Sequence, residues 1–194
     1  MIKRKIAIGL IAVAIVAVFT SGAIYAYFND TESSSGNSFT AGTLDLTVNG
    51  QNPWAQTVFS ASNLAPGASG VSTMTLANSG SVGGTLTGTI LNLNDAPGTT
   101  PEPEPTPDHG ELSANMQITV WVDANHNGVI DGTETAIYSG LLSGANNSAP
   151  WALGTLAGGA TTYVSISYLI PTTVGNVIMG DICTFTIEYT LTQT

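Results

Sequence analysis

The sequence predicts an all-β fold: a jelly-roll-like β-sandwich of about eight or nine strands, preceded by an N-terminal signal helix. Three observations predict it. Near the C-terminus Cys183, Phe185, Ile187, Tyr189 and Leu191 alternate with Thr184, Thr186, Glu188, Thr190 and Thr192. That period of two makes one face apolar and the other polar and Thr-rich, as a half-buried antiparallel strand requires. Clusters of Gly, Asn, Pro and Ser cut the chain at short intervals, among them Asn63 to Gly70, Asn78 to Gly84 and Ser143 to Pro150. No segment after residue 26 sustains a helical period.

The elements follow in order. Lys3, Arg4 and Lys5 form a positive n-region, Ile6 to Phe19 is an apolar run, and Thr20 to Ala26 is rich in small residues. Residues 1–26 therefore read as a secretory signal, with Ile24 and Ala26 at the two positions a signal peptidase inspects. The apolar core is about 14 residues, against roughly 20 for a membrane span. Counting on through Ala26 approaches that length, so an uncleaved anchor is the alternative. Beyond the signal, runs rich in β-branched and aromatic residues predict strands at Leu44 to Val48, Thr57 to Phe59, Val71 to Leu76, Thr85 to Leu91, Ala136 to Tyr138 and Thr162 to Ile170. Met116, Ile118, Val120 and Val122 repeat the period of two. Pro97 to Asp108 is Pro-rich and acidic with nothing to place in a core, which predicts an extended solvated loop, either a passive spacer or a recognition segment.

Charge narrows the function. The chain has 13 acidic residues and three basic ones, and all three basic residues lie in the signal. A mature chain without Lys or Arg has nothing to offer nucleic-acid phosphates or anionic headgroups, so neither nucleic acid nor, after cleavage, a membrane is expected as a partner. It also lacks a lysine for covalent cross-linking, so any assembly is non-covalent. The single cysteine, Cys183, excludes an internal disulfide framework. Inside an alternating strand it reads as a small hydrophobe, with a reactive thiol as the other reading. The remaining length suits one domain, residues 43–194.

Asp123 to Glu134 reads D-A-N-H-N-G-V-I-D-G-T-E. This is the spacing of a twelve-residue calcium loop. Asp123, Asn125 and Asn127 supply oxygens at positions 1, 3 and 5, and Gly128 permits the turn. Val129 offers its carbonyl, Asp131 stands at position 9, and Glu134 closes the site. A hard cation needs such convergence of six to eight oxygens. The preceding residues predict a strand, so the loop is grafted on a sheet, and the competing reading is a plain Asn/Gly hairpin turn. With Asn at two positions the expected dissociation constant is about 10⁻⁴ to 10⁻³ M. A calcium concentration of ten times that constant stabilises by about 1.4 kcal/mol, a structural role. His126 occupies a non-ligand position and is expected to face solvent.

Tyr27 to Leu46 reads Y-F-N-D-T-E-S-S-S-G-N-S-F-T-A-G-T-L-D-L. It resembles the start of mature proteins of the TasA/camelysin family, through Tyr27-Phe28-Asn29-Asp30 and then Phe39, Gly42, Thr43, Leu44, Asp45 and Leu46. Asn63-Leu64-Ala65-Pro66-Gly67 and Asn78-Ser79-Gly80 are similar to further elements of that family. The resemblance covers about the first third of the chain. It implies a jelly-roll sandwich in an extracellular filament of the cell surface or biofilm matrix. Subunits of that kind, like those of archaeal bundling pili, complete a neighbour's sheet with their N-terminal segment. The implied partners are further copies of the chain, head to tail, and other filaments by bundling. Residues 27–42 would be the donor, with Tyr27, Phe28, Asn29, Asp30 and Phe39 in the joint. The residues agree with this, since Asn29 to Ser38 is polar, precedes the first strand and lies between aromatic side chains, as a segment that adds to a sheet edge requires. The competing reading is a tail lying on its own domain.

Camelysins have been classed as metalloproteases, yet H-E-x-x-H is absent, and His109 and His126, the two histidines, both fall in predicted loops. A zinc site needs about three protein ligands. The expectation is no enzyme, with a monomeric calcium-binding adhesion domain as the main alternative and a camelysin-type metalloprotease behind it. Asn29 and Asn146 begin acceptor sequences for N-glycosylation.

Overall fold

The computed structural model describes residues 2–22, 33, 35–98 and 109–193, with side chains described in the N-terminal helix through residue 15. The chain divides into two compact units, Met1–Thr40 and Ala41–Thr194. The first carries helix α1, Ile2–Gly22, over the basic and apolar parts of the expected signal. Among the described residues, no helix is long and apolar enough to cross a membrane.

The second unit is an all-β sandwich. Its strands are β1 (Leu46–Val48), β2 (Ser69–Asn78), β3 (Gly84–Ala96), β4 (Gln117–Val122), β5 (Ala136–Leu141), β6 (Trp151–Leu156), β7 (Thr161–Leu169) and β8 (Ile182–Gln193). One sheet has the order β1-β2-β7-β4-β5 and the other β6-β3-β8, and every pairing is antiparallel. From β2 to β4, and again from β5 to β8, the chain alternates between the sheets, which is the winding of a jelly roll.

Alternation drives the packing. Met74 and Leu76 of β2, Ile118 and Val120 of β4, and Val164 and Ile166 of β7 point into the sandwich, each at most 3% exposed. They meet Leu86 and Ile90 of β3 and Trp151, Leu153 and Leu156 of β6. Burying each large side chain of this kind stabilises by about 1.5–3 kcal/mol.

The strand at Thr57 to Phe59 is corrected: those residues are irregular. A strand needs a ladder partner, and among the described residues none pairs with them. Two four-residue helices, α2 (Leu112–Asn115) and α3 (Leu142–Ala145), were below what helical periodicity detects; each buries a leucine at its first position. Strand β6 was not predicted, because Gly154 breaks the alternation of its apolar residues. Of the Pro-rich segment, Pro97 and Gly98 are described and continue from β3 without regular structure, while 99–108 lie outside the described residues.

Candidate cation loop and free sheet edge

β4 and β5 form a hairpin whose connection is the predicted calcium loop. The outward residues of β4 explain its position. Trp121 points away from the core yet is 2% exposed, and its register partner Ser165 on β7 is 0% exposed. Both are covered because the loop folds back over the outer face of the five-stranded sheet. His126 stacks on Tyr163 of β7 with ring centroids 4.2 Å apart and 9° between planes. A Cβ placed on Gly128 would lie 3.5 Å from Val71, so the loop reaches across β7 to β2. His126 is exposed, as expected, but one ring face is taken by Tyr163.

Asp123 anchors the loop. It is 0% exposed. Its Oδ2 accepts from Gly128 N–H (2.8 Å) and from Ser165 Oγ (2.7 Å), and its Oδ1 accepts from Asn127 N–H (3.1 Å). Burial opposes ionisation, but the Ser165 hydroxyl and the amides of Gly128, Asn127 and His126 outweigh it and hold the carboxyl below its ordinary value. Ser165 in turn shares a hydrogen bond with Thr73 of β2 at 2.6 Å. Asn125 Nδ2 and Asn127 Nδ2 donate to the two oxygens of Asp131 at 2.9 and 2.8 Å. Glu134 returns to the start of the loop, accepting from Ala124 N–H (2.8 Å) and Asp131 N–H (3.3 Å). Gly128 has φ +72°, a left-handed value that glycine adopts without strain.

The six predicted ligand residues are thus drawn into one loop, Asp123 buried, Glu134 half-buried and Asn125, Asn127, Val129 and Asp131 exposed. Oxygen-rich, with an ionised carboxylate at its base, the donor set suits a hard cation. Among the described residues no three His, Cys, Asp or Glu side chains are grouped closely enough to hold a metal. A cation here therefore depends on the amide oxygens of Asn125 and Asn127 and the Val129 carbonyl as well as carboxylates. Ser165 and Thr73 were missed by sequence reasoning, since only the strand register brings them beneath Asp123.

The second feature is β8. One edge pairs with β3 over nearly its whole length. Among the described residues no strand pairs with the other edge. Cys183, Phe185, Ile187, Tyr189 and Leu191 point inward but are only half-buried, whereas their neighbours Leu86 and Ile90 on β3 are 1% exposed. A cavity of about 500 Å³ opens beside Cys183 and Phe185 and reaches core residues Ile90, Ile118 and Ile166. Burial, with Asp95 and Asp181 nearby, pushes the Cys183 thiol up to about 12, so it is a poor nucleophile at neutral pH.

The N-terminal motifs have a structural task. Asn78, 1% exposed, accepts on Oδ1 from Gly80 N–H (3.0 Å) and Asp45 N–H (3.4 Å). Its Nδ2 donates to the carbonyls of Val82 (2.7 Å) and Leu156 (3.3 Å). Asn52 Nδ2 donates to Asp45 Oδ1 at 2.6 Å. Together they pin residues 43–45 against the β2–β3 turn. Of the predicted donor residues, Tyr27, Phe28, Asn29 and Asp30 lie outside the described residues, and Phe39 is fully exposed. Asn146 is half-buried, and its Oδ1 accepts from Leu93 N–H at 3.3 Å. His109 is exposed in the chain before α2, and no third ligand groups with it among the described residues.

Fold and loop define a β-sandwich domain with an oxygen-rich loop and, among the described residues, a long edge strand, β8, paired on one side only. Residues 1–92 match the model of the camelysin metallo-endopeptidase family. The first 92 of the chain's 194 residues are thus similar to that family. The matched part runs from α1 into β3 and includes Asn78 but not the loop at 123–134. No curated protein matches the chain.

Proposed function

We propose that the chain is the structural subunit of a non-covalent extracellular filament, in which the N-terminal segment 27–42 of one copy adds as a strand to β8 of the next. The observation that carries this reading is the free edge of β8. Long unpaired edges invite pairing with another chain, and native proteins normally cover or blunt them. Here the edge strand is 12 residues long, its inward side chains are half-buried, and a cavity lies beside it. An added strand would satisfy the backbone groups of the edge and place alternate side chains in the cavity. In a regular jelly roll the first strand lies beside the last, but here β1 pairs with β2, which leaves that place open. A head-to-tail contact of this kind extends into a fibre when its rotation does not close.

The loop at Asp123 to Glu134 binds calcium in this reading and acts structurally, tying β4, β5, β7 and β2 together on the outer face.

Negative-stain electron microscopy of residues 27–194 beside residues 42–194 tests the proposal. Filaments from the longer chain alone support it. Filaments from both keep the fibre and move the joint elsewhere. Monomers from both, at high concentration in millimolar calcium, refute it and leave a calcium-binding surface domain.

A further inference from the structure

The cavity beside Cys183 and Phe185 offers about 500 Å³, the size of a small-molecule site and far above the voids of a packed interior. Its inner walls are core side chains: Ile90, Ile118, Leu142 and Ile166, each at most 3% exposed. They come from β3, β4, α3 and β7, so the space reaches between the two sheets. Core atoms that face an empty space lose their dispersion partners, and water finds no hydrogen-bond partner on aliphatic walls. An apolar occupant removes both penalties.

The polar part of the lining is of one kind. Ser60, Ser62 and Asn63 are exposed at the mouth, and the Asp181 carboxylate lines the same space. Asp181 Oδ2 accepts from Glu111 N–H at 2.6 Å, which holds the carboxylate in place. Asp95 lies close to the lining residue Cys183. The unit that holds the cavity contains no Lys or Arg, since all three basic residues stand at positions 3–5.

We infer that this cavity is a binding site for a single-chain amphiphile with a cationic head, such as a primary alkylammonium. The alkyl chain lies against Ile90, Ile118 and Ile166, and the ammonium stays at the mouth beside Asp181. A carboxylate head on the same chain would meet Asp181 at like charge, and its hydration would be lost without a cationic partner. The site uses neither the backbone groups of the β8 edge nor the loop at 123–134. It does not rest on the filament reading, and it gives the domain a small-molecule ligand of its own.

Isothermal titration of the monomeric fraction of residues 27–194 with decylammonium, decanol and decanoate, each below its micelle concentration, tests this. Decylammonium should saturate at one molecule per subunit. It should bind about ten-fold tighter than decanoate, a ratio that one attractive against one repulsive charge contact near a surface supports. Asp181→Asn should remove that ratio and leave decanol unchanged. Leu64 is half-buried in irregular chain and lines the cavity, so Leu64→Trp should fill the space and abolish binding of all three with an unchanged circular dichroism spectrum. No saturable binding by the wild type, or binding untouched by Leu64→Trp, overturns the inference. Equal affinity for decylammonium and decanoate overturns the cationic head. Absence of filaments by electron microscopy would remove the filament reading and leave the titration standing.

Discussion

Replacing Asp123 by alanine removes a fully buried carboxylate that accepts three hydrogen bonds, from Ser165, Gly128 and Asn127. A hydrogen bond to a charged group contributes about 1.5–3 kcal/mol. The three losses are not additive here. Ser165 keeps Thr73 as a partner, and the exposed Asn127 amide can regain water. The expected cost is therefore that of one to two such bonds, about 3 kcal/mol. For a domain of this size that lowers Tm by roughly 6–12 °C. Urea unfolding followed by tryptophan fluorescence is a suitable assay, because Trp121 lies beneath the loop and reports its loss. Wild type should gain about 1.4 kcal/mol in calcium at ten times the dissociation constant, and the variant should gain nothing. The pH dependence has a definite sign. The folded carboxyl sits below its ordinary value, so its contribution is full above the unfolded pKa and is lost as pH falls through the folded one. The stability difference between wild type and variant should shrink in acid. A variant within about 0.5 kcal/mol of wild type, or one still stabilised by calcium, would refute the anchoring argument.

Three further outcomes are expected. Ser165→Ala should weaken calcium binding about ten-fold in isothermal titration, because an outer partner of a ligating carboxylate is lost. Leu76→Ala, at a 0% exposed core position, should cost about 2–5 kcal/mol in the same urea assay and leave calcium affinity unchanged. Gly80→Ala would bring a Cβ onto the Thr43 carbonyl; because that atom is backbone, residues 43–45 must shift. The overpacking should cost about 1–3 kcal/mol, visible as a lowered Tm and as faster proteolysis ahead of β1.

The strands β2, β3, β4, β7 and β8 were legible in the sequence because each alternates strongly and is long enough to show it. Thr57 to Phe59 misled for the opposite reason. Its β-branched and aromatic residues suit a strand, but strand formation depends on a partner edge, and the adjacent β8 edge forms no ladder with it. The helices α2 and α3 have one turn each, less than a period needs to declare itself. In the loop, the run of oxygen-bearing side chains was legible because its members follow one another in the chain. Its place on the sheet was not.

The sequence by itself determined an all-β fold, through a period of two, and carries the expectation of export in its charge and apolar run. It also determined the loop's oxygen donors, because those residues follow one another in the chain. Tertiary structure alone decided what lies beneath Asp123, since Thr73 and Ser165 reach it through strand register across 92 residues. It also decided that β1 pairs with β2 and leaves β8 an open edge, because pairing is a choice between distant segments, which no local pattern encodes.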